Sequence, residues 1–136
     1  MNQYQTLFSL KGKFALVTGG TGGLGSAIAN AFLLNGAGVA VCGGHPEKAA
    51  ALKKLAESLN RPFLSLSCDL TNPRKVSDML DAIEDTFGTL DILVNSAGIN
   101  RLIHAEDYDD ETFSQVMDLN LNGLHTVTRE AGKRFL

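Results

Sequence analysis

The sequence predicts an α/β protein with a doubly wound parallel sheet. Three observations carry that reading. Short, continuous apolar runs alternate with helix-like apolar stripes along the whole chain. A glycine-rich turn, Gly19-Gly20-Thr21-Gly22-Gly23-Leu24-Gly25, joins the first run to the first stripe. Small and polar residues follow the third and fourth runs, at Cys68-Asp69 and Asn95-Ser96-Ala97-Gly98. Strands that alternate with helices imply parallel pairing through right-handed crossovers. Runs that are apolar throughout suit a sheet covered on both faces. The expected strand order is 3-2-1-4, with a ligand crevice at the carboxyl ends of strands one and four, where the winding reverses.

Phe14-Ala15-Leu16-Val17 reads as the first strand. Leu24, Ala27, Ile28, Ala31 and Phe32 recur at helical spacing, and Asn35-Gly36 supplies a stop. Val39–Cys42 is the second strand. Pro46 suits the first turn of a second helix, whose buried stripe is Leu52, Leu55, Ala56 and Leu59, with Asn60 and Pro62 at its end. Phe63–Leu66 is the third strand. Thr71-Asn72-Pro73 opens a helix that carries Val76, Leu80, Ile83 and Phe87 on one face and Gly88 at its end. Leu90–Val94 is the fourth strand, and one helix is expected from about Asp109 to the end of the chain. The chain reads as one domain over residues 1–136, with no repeat, linker or low-complexity segment.

Strand, glycine turn, helix is the setting in which a turn cradles a pyrophosphate. Glycine lets the backbone approach the ligand, and the helix start presents unpaired N–H groups and partial positive charge. A plain connection needs one or two glycines, whereas this one has five. Asp69 has two readings of equal standing, a turn or capping residue and a ligand contact. Asn95 also suits a turn, but the small residues after it favour close backbone approach and a functional role. Asn120 falls within the stripe of Phe113, Val116, Met117, Leu124, Val127 and Ala131. A buried amide there either holds backbone groups or organises a water or catalytic side chain; periodicity alone does not separate the two.

Composition narrows the class. Hydrophobic residues make up 44% and charged residues 20%, ordinary values for a globular protein. A net charge of −3 gives no general attraction to nucleic acid or anionic membrane. No apolar run approaches the ~20 residues of a membrane span, and residues 1–13 lack the pattern of a secretion signal, so the expected setting is the cytoplasm. Cys42 and Cys68 form no Cys-x-x-Cys pair and read as reduced structural thiols. No metal is expected. His45-Pro46-Glu47 lacks the Pro-Cys-x-x-Cys partner of a zinc deaminase. The acidic run Glu106, Asp107, Asp109, Asp110 and Glu111 suits a helix start. His104 and His125 read as structural.

Taken together the motifs resemble the short-chain dehydrogenase/reductase family. Thr18, Gly19, Gly23 and Gly25 match its Thr-Gly-x-x-x-Gly-x-Gly turn. Cys68-Asp69-Leu70 resembles its adenine-contacting segment. Asn95-Ser96-Ala97-Gly98 resembles its Asn-Asn-Ala-Gly element with Ser in second place, and Leu119–Gly123 resembles the segment bearing its catalytic Asn. Phe63–Asp69 and Gly98–Asn120 are most similar to the gluconate 5-dehydrogenase and 2-deoxygluconate 3-dehydrogenase branch. The resemblance implies a Rossmann-type sheet, cut after the fourth strand and following helix, and hydride transfer between nicotinamide and a secondary alcohol or ketone, including sugar acids. It implies Gly19, Thr21, Gly23, Leu24, Gly25, Asp69, Leu70, Asn95, Ala97 and Gly98 as cofactor contacts and Asn120 as catalytic.

Two departures qualify this. The second strand ends in Cys42-Gly43-Gly44-His45, with neither the Asp that favours NAD nor the Arg or Lys that favours NADP, so the choice of dinucleotide stays open. The family's catalytic Ser and Tyr-x-x-x-Lys are also missing: the only tyrosines are Tyr4 and Tyr108, and neither has Lys four positions on. The chain therefore reads as the N-terminal half of a dehydrogenase, inactive alone. An open fourth-strand edge, or apolar area left uncovered on the last helix, would drive it to homo-oligomerise or aggregate. The alternative is a non-catalytic dinucleotide-binding or interaction module.

Overall fold

The computed structural model describes residues 3–136; Met1 and Asn2, at the start of the stretch read for a leader, lie outside it. Its elements run α1 (Gln3–Leu7), β1 (Phe14–Thr18), α2 (Gly23–Leu34), β2 (Gly38–Cys42), α3 (Pro46–Ser58), β3 (Phe63–Leu66), α4 (Pro73–Phe87), β4 (Ile92–Asn95), α5 (Asp110–Met117) and α6 (Leu124–Phe135). The four strands form one parallel sheet in the order β3-β2-β1-β4, as the alternation predicts. α1 and a short 3₁₀ turn at Ala105–Asp107 carry too little periodicity to be read from sequence.

The sheet is covered on both faces, and alternate residues divide between two cores. Leu16 and Ala40 face one layer, where Val76, Leu80 and Ile83 of α4 meet Val127 and Ala131 of α6. Val17, Val39 and Val41 face the other, against Ala29 and Leu33 of α2 and Leu52 and Ala56 of α3. All these residues are at most 4% exposed, and the two central strands, β1 and β2, are sealed on both faces, whereas β3 and β4 at the sheet edges are partly exposed. The helix ends follow local rules. Asn72 caps α4 by accepting from the Arg74 and Lys75 N–H groups at 3.1 and 3.2 Å, and Gly88 closes it at φ +82°.

The last helix departs from expectation. It is not continuous: residues Asp118–Gly123 form a π-helical segment between α5 and α6. A π insertion adds a residue to a turn and rotates the stripe that follows. The expected single stripe is not uniformly buried. Val127 and Ala131 are fully buried, whereas Phe113 and Leu124 are 55% and 40% exposed. Asn120 lies in the π segment and is exposed rather than buried in a stripe. α6 is bolted to α4 by Arg134, which reaches Glu84 at 3.2 Å, the Ser77 carbonyl at 3.2 Å and the Asp81 carboxylate.

Candidate functional site

The crevice forms where β1 and β4 end side by side. Their register pairs Thr18 with Asn95, so the loops that leave both strands emerge together. Thr18, 1% exposed, ties them. Its hydroxyl donates to the Val94 carbonyl at 3.4 Å and accepts from the Ser96 and Ala97 N–H groups at 3.2 and 3.3 Å. The sequence signal for this role is a hydroxyl at the end of an apolar strand before the glycine turn.

Backbone packing dictates the turn itself. Gly19 adopts φ +64°, and a Cβ there would sit 2.6 Å from the Ser96 carbonyl oxygen. A Cβ on Gly25 would lie 2.0 Å from the Gly19 carbonyl oxygen. Only glycine allows the turn to fold back on itself and lie against the β4 loop. A Cβ on Gly23, by contrast, would meet nothing within 4 Å. Gly23 opens α2 and faces free space, so its glycine is not explained by the protein's own packing.

The turn borders a cleft of about 370 Å³, within the range of small-molecule sites. Gly19, Thr21, Leu70, Ala97 and Gly98, all picked out by sequence, line it. The end of β2 contributes Cys42, Gly43, Gly44 and His45, and Gly22, Ser67, Cys68, Ser96 and Leu119 also line it. Burial pushes the Cys42 thiol up to about 11, with the nearby Cys68 adding to the shift. Burial also raises Cys68, as does the Asp69 charge. Both are free thiols held in the protonated form.

Gly23, Leu24, Gly25, Asp69, Asn95 and Asn120, also singled out by sequence, do not line this cleft. Leu24 is 80% exposed at the start of α2, beside Gly23 and Gly25. Asp69 accepts from the Thr71 hydroxyl at 2.6 Å and its N–H at 3.0 Å, which holds its carboxyl below the usual range. Asn95 turns toward α6: its Nδ2 donates to Thr128 Oγ1 at 2.9 Å, and its buried Oδ1 has no protein partner among the described residues. Asn120 grips one residue twice, accepting from the Ile99 N–H and donating to the Ile99 carbonyl, both at 2.8 Å. It therefore fixes the loop just beyond Gly98, and a Cβ on Gly98 would come within 3.2 Å of its Oδ1. The acidic run has a local use, since Asp109 caps α5 by accepting from the Thr112 N–H at 2.7 Å. Among the described residues no His, Cys, Asp or Glu cluster of metal-binding form occurs.

With this geometry in view, the chain belongs to the short chain dehydrogenase family, whose family model matches residues 13–136. It is 37% identical over 129 residues to D-threitol dehydrogenase of Mycolicibacterium smegmatis, covering 95% of this chain and 50% of that protein. It is 38% identical over 137 residues to 2-dehydro-3-deoxy-D-gluconate 5-dehydrogenase of Bacillus subtilis, covering 100% and 53%. Among solved structures, a short chain dehydrogenase from Burkholderia cenocepacia in complex with NADP superimposes with a TM-score of 0.86 at 34% identity, over 92% of this chain and 51% of that one. The chain spans about half the length of the curated relatives it matches.

Proposed function

We propose that this chain is the dinucleotide-binding part of an NAD- or NADP-dependent oxidoreductase acting on a secondary alcohol or ketone of a polyol or sugar acid. The carrying observation is the glycine turn, folded against the β4 loop so tightly that no Cβ fits at Gly19 or Gly25, while Gly23 faces open space at the start of α2. That is a cradle with room for a pyrophosphate, at the helix end that favours anions. The residues fit the cofactor. Gly19 and Gly23–Gly25 receive the phosphates, Asp69 and Leu70 flank the adenine, and Ala97 and Gly98 bound the far side by backbone approach. Asn95 acts by fixing the end of β4 to α6. When bound, the nicotinamide gives or takes a hydride.

Asn120 spends one acceptor and one donor of its amide on Ile99 and keeps one of each for a ligand, so the catalytic role implied by the resemblance belongs to this reading. The substrate class rests on the sugar-acid and polyol names of the relatives at 38% and 37% identity. A cytoplasmic setting and a homo-oligomeric state belong to the same reading. The test is binding of NADH and NADPH to the chain, followed by dehydrogenase assays of the complete polypeptide with aldonic acids and linear polyols. Dinucleotide-dependent turnover on one of these classes is expected. A chain that binds neither dinucleotide would refute the reading.

A further inference from the structure

We propose that Cys42 and Cys68 form a thiol–disulfide exchange site: a low-molecular-weight disulfide oxidises the pair to one cross-link, which joins the ends of β2 and β3 beside the cleft and weakens ligand binding there. The cross-link stands on the placement of the two thiols alone. Its effect on binding rests on the proposed dinucleotide site.

The sheet brings the two cysteines together. Cys42 ends β2 and is paired in register with Leu66, the last residue of β3. Leu64, Leu66 and Cys68 alternate onto the face that Cys42 occupies, and all four pack into the core layer under α4 and α6. The Cys42 thiol donates to the Cys68 carbonyl, with Sγ and oxygen 3.9 Å apart. Both thiols are free, and the sequence holds no other cysteine. Cys68 lies just past β3, in a stretch without regular structure at the edge of the sheet. A disulfide needs Cα atoms about 4.4–6.8 Å apart, and an irregular edge segment can shift to meet that span.

Access fixes the order of events. Cys42 is buried, whereas Cys68 is partly exposed. Cys68 lines the cleft on one side and a second cavity, bordered by Asp69, Lys75 and Met79, on the other. The Cys68 thiolate attacks one sulfur of the reagent, so a mixed disulfide forms and one small thiolate leaves. The Cys42 thiolate then attacks the Cys68 sulfur, so the protein disulfide forms and the second small thiolate leaves. The two cysteines give up two electrons and two protons, and the reagent ends as two thiols. Burial and the Asp69 charge raise the Cys68 thiol, Lys75 opposes them and Asp78 adds to them, so exchange is slow at neutral pH. Cys42, Gly43, Cys68 and Leu70 converge on the cleft from the two strand ends. Tying Cys68 to Cys42 draws the segment before Leu70 against β2 and narrows the cleft on that side.

The experiment treats the folded chain with 2-hydroxyethyl disulfide at about pH 8.5, where more thiolate is present. Intact mass and non-reduced peptide mapping read the bond, circular dichroism follows the fold, and calorimetry with NADH and NADPH reads the site. The expected product has lost two hydrogens and yields a linked Cys42–Cys68 peptide pair. Its dinucleotide affinity is expected to fall by roughly tenfold, an ordinary size for coupling between sites, and to return with dithiothreitol. Cys42→Ser is expected to stop at a mixed disulfide on Cys68, and Cys68→Ser to take up little reagent. A folded chain that keeps both thiols, stops at mixed disulfides, links to a second chain or cross-links only in urea overturns the inference and leaves the dinucleotide site standing. So does a cross-linked chain that binds either dinucleotide as tightly as its reduced form. Binding of neither dinucleotide to the reduced chain overturns the site reading and, through it, the inference.

Discussion

Replacing Gly23 separates what the protein needs from what a ligand needs. Gly19 and Gly25 are demanded by the fold: a Cβ at Gly25 lands 2.0 Å from a backbone oxygen, and neither atom is free to swing away. Gly25→Ala is therefore an overpacking change, expected to cost about 2 kcal/mol or more of stability. Gly23→Val meets no protein atom within 4 Å of its Cβ and lies in the first turn of α2. Helix propensity slightly favours valine over glycine, so stability is expected within about 0.5 kcal/mol of the unaltered chain. The new isopropyl group enters the space assigned to the pyrophosphate. Losing one or two charge-assisted N–H contacts there removes about 2–4 kcal/mol, a weakening of roughly 30- to 1,000-fold. Urea unfolding gives the first quantity and calorimetry with NADPH or NADH the second. A stable Gly23→Val protein that binds either dinucleotide as tightly as before would refute the placement.

Asn120→Ala removes both bonds to Ile99 and is expected to cost about 1–3 kcal/mol in urea unfolding. It should also weaken dinucleotide binding through the Gly98 loop, and unchanged stability would show that the clamp does not hold that loop. Arg134→Leu cuts α6 from Glu84, Asp81 and Ser77. Because both carboxylates are partly solvated, a loss of about 1–2 kcal/mol is expected, and a stabilised variant would refute the tie. With the Cys42 thiol raised to about 11, alkylation is expected to be slow at neutral pH and to accelerate as pH climbs toward that value and thiolate forms. Fast labelling of Cys42 at pH 7, read by peptide mass spectrometry, would contradict its burial.

The sheet and the glycine turn were legible because each is encoded locally. Val39–Cys42 is apolar at every position because both faces are sealed, and Pro46 and Gly88 mark helix ends by their own backbone preferences. Strand order followed from the direction of the crossovers. The π segment was not legible, because a one-residue insertion leaves composition unchanged. The stripe through Phe113 and Leu124 assumed an unbroken helix and misplaced both. At the site, sequence identified the loops better than the side chains' partners. It placed Asp69 and Asn95 at the crevice but could not foresee that Thr71 engages the first and Thr128 the second. The packing of Thr21 against Gly43 joins two turns that are distant in sequence, and no local pattern announces it.

The strand order has a kinetic consequence. β1 is central, but its second neighbour, β4, arrives only after three helical crossovers, and the bonds from Thr18 to Val94, Ser96 and Ala97 close loops of 76, 78 and 79 residues. Loop closure over such spans is entropically costly and slows folding, whereas β1, β2 and β3 join through nearer contacts. On a ribosome, the first three strands emerge and can associate before β4 exists. The crevice does not, because one wall of it is the β4 loop. On the proposed reading, cofactor affinity at this site is a property the nascent chain acquires only once β4 has docked, and a ligand present during synthesis stabilises that docking step.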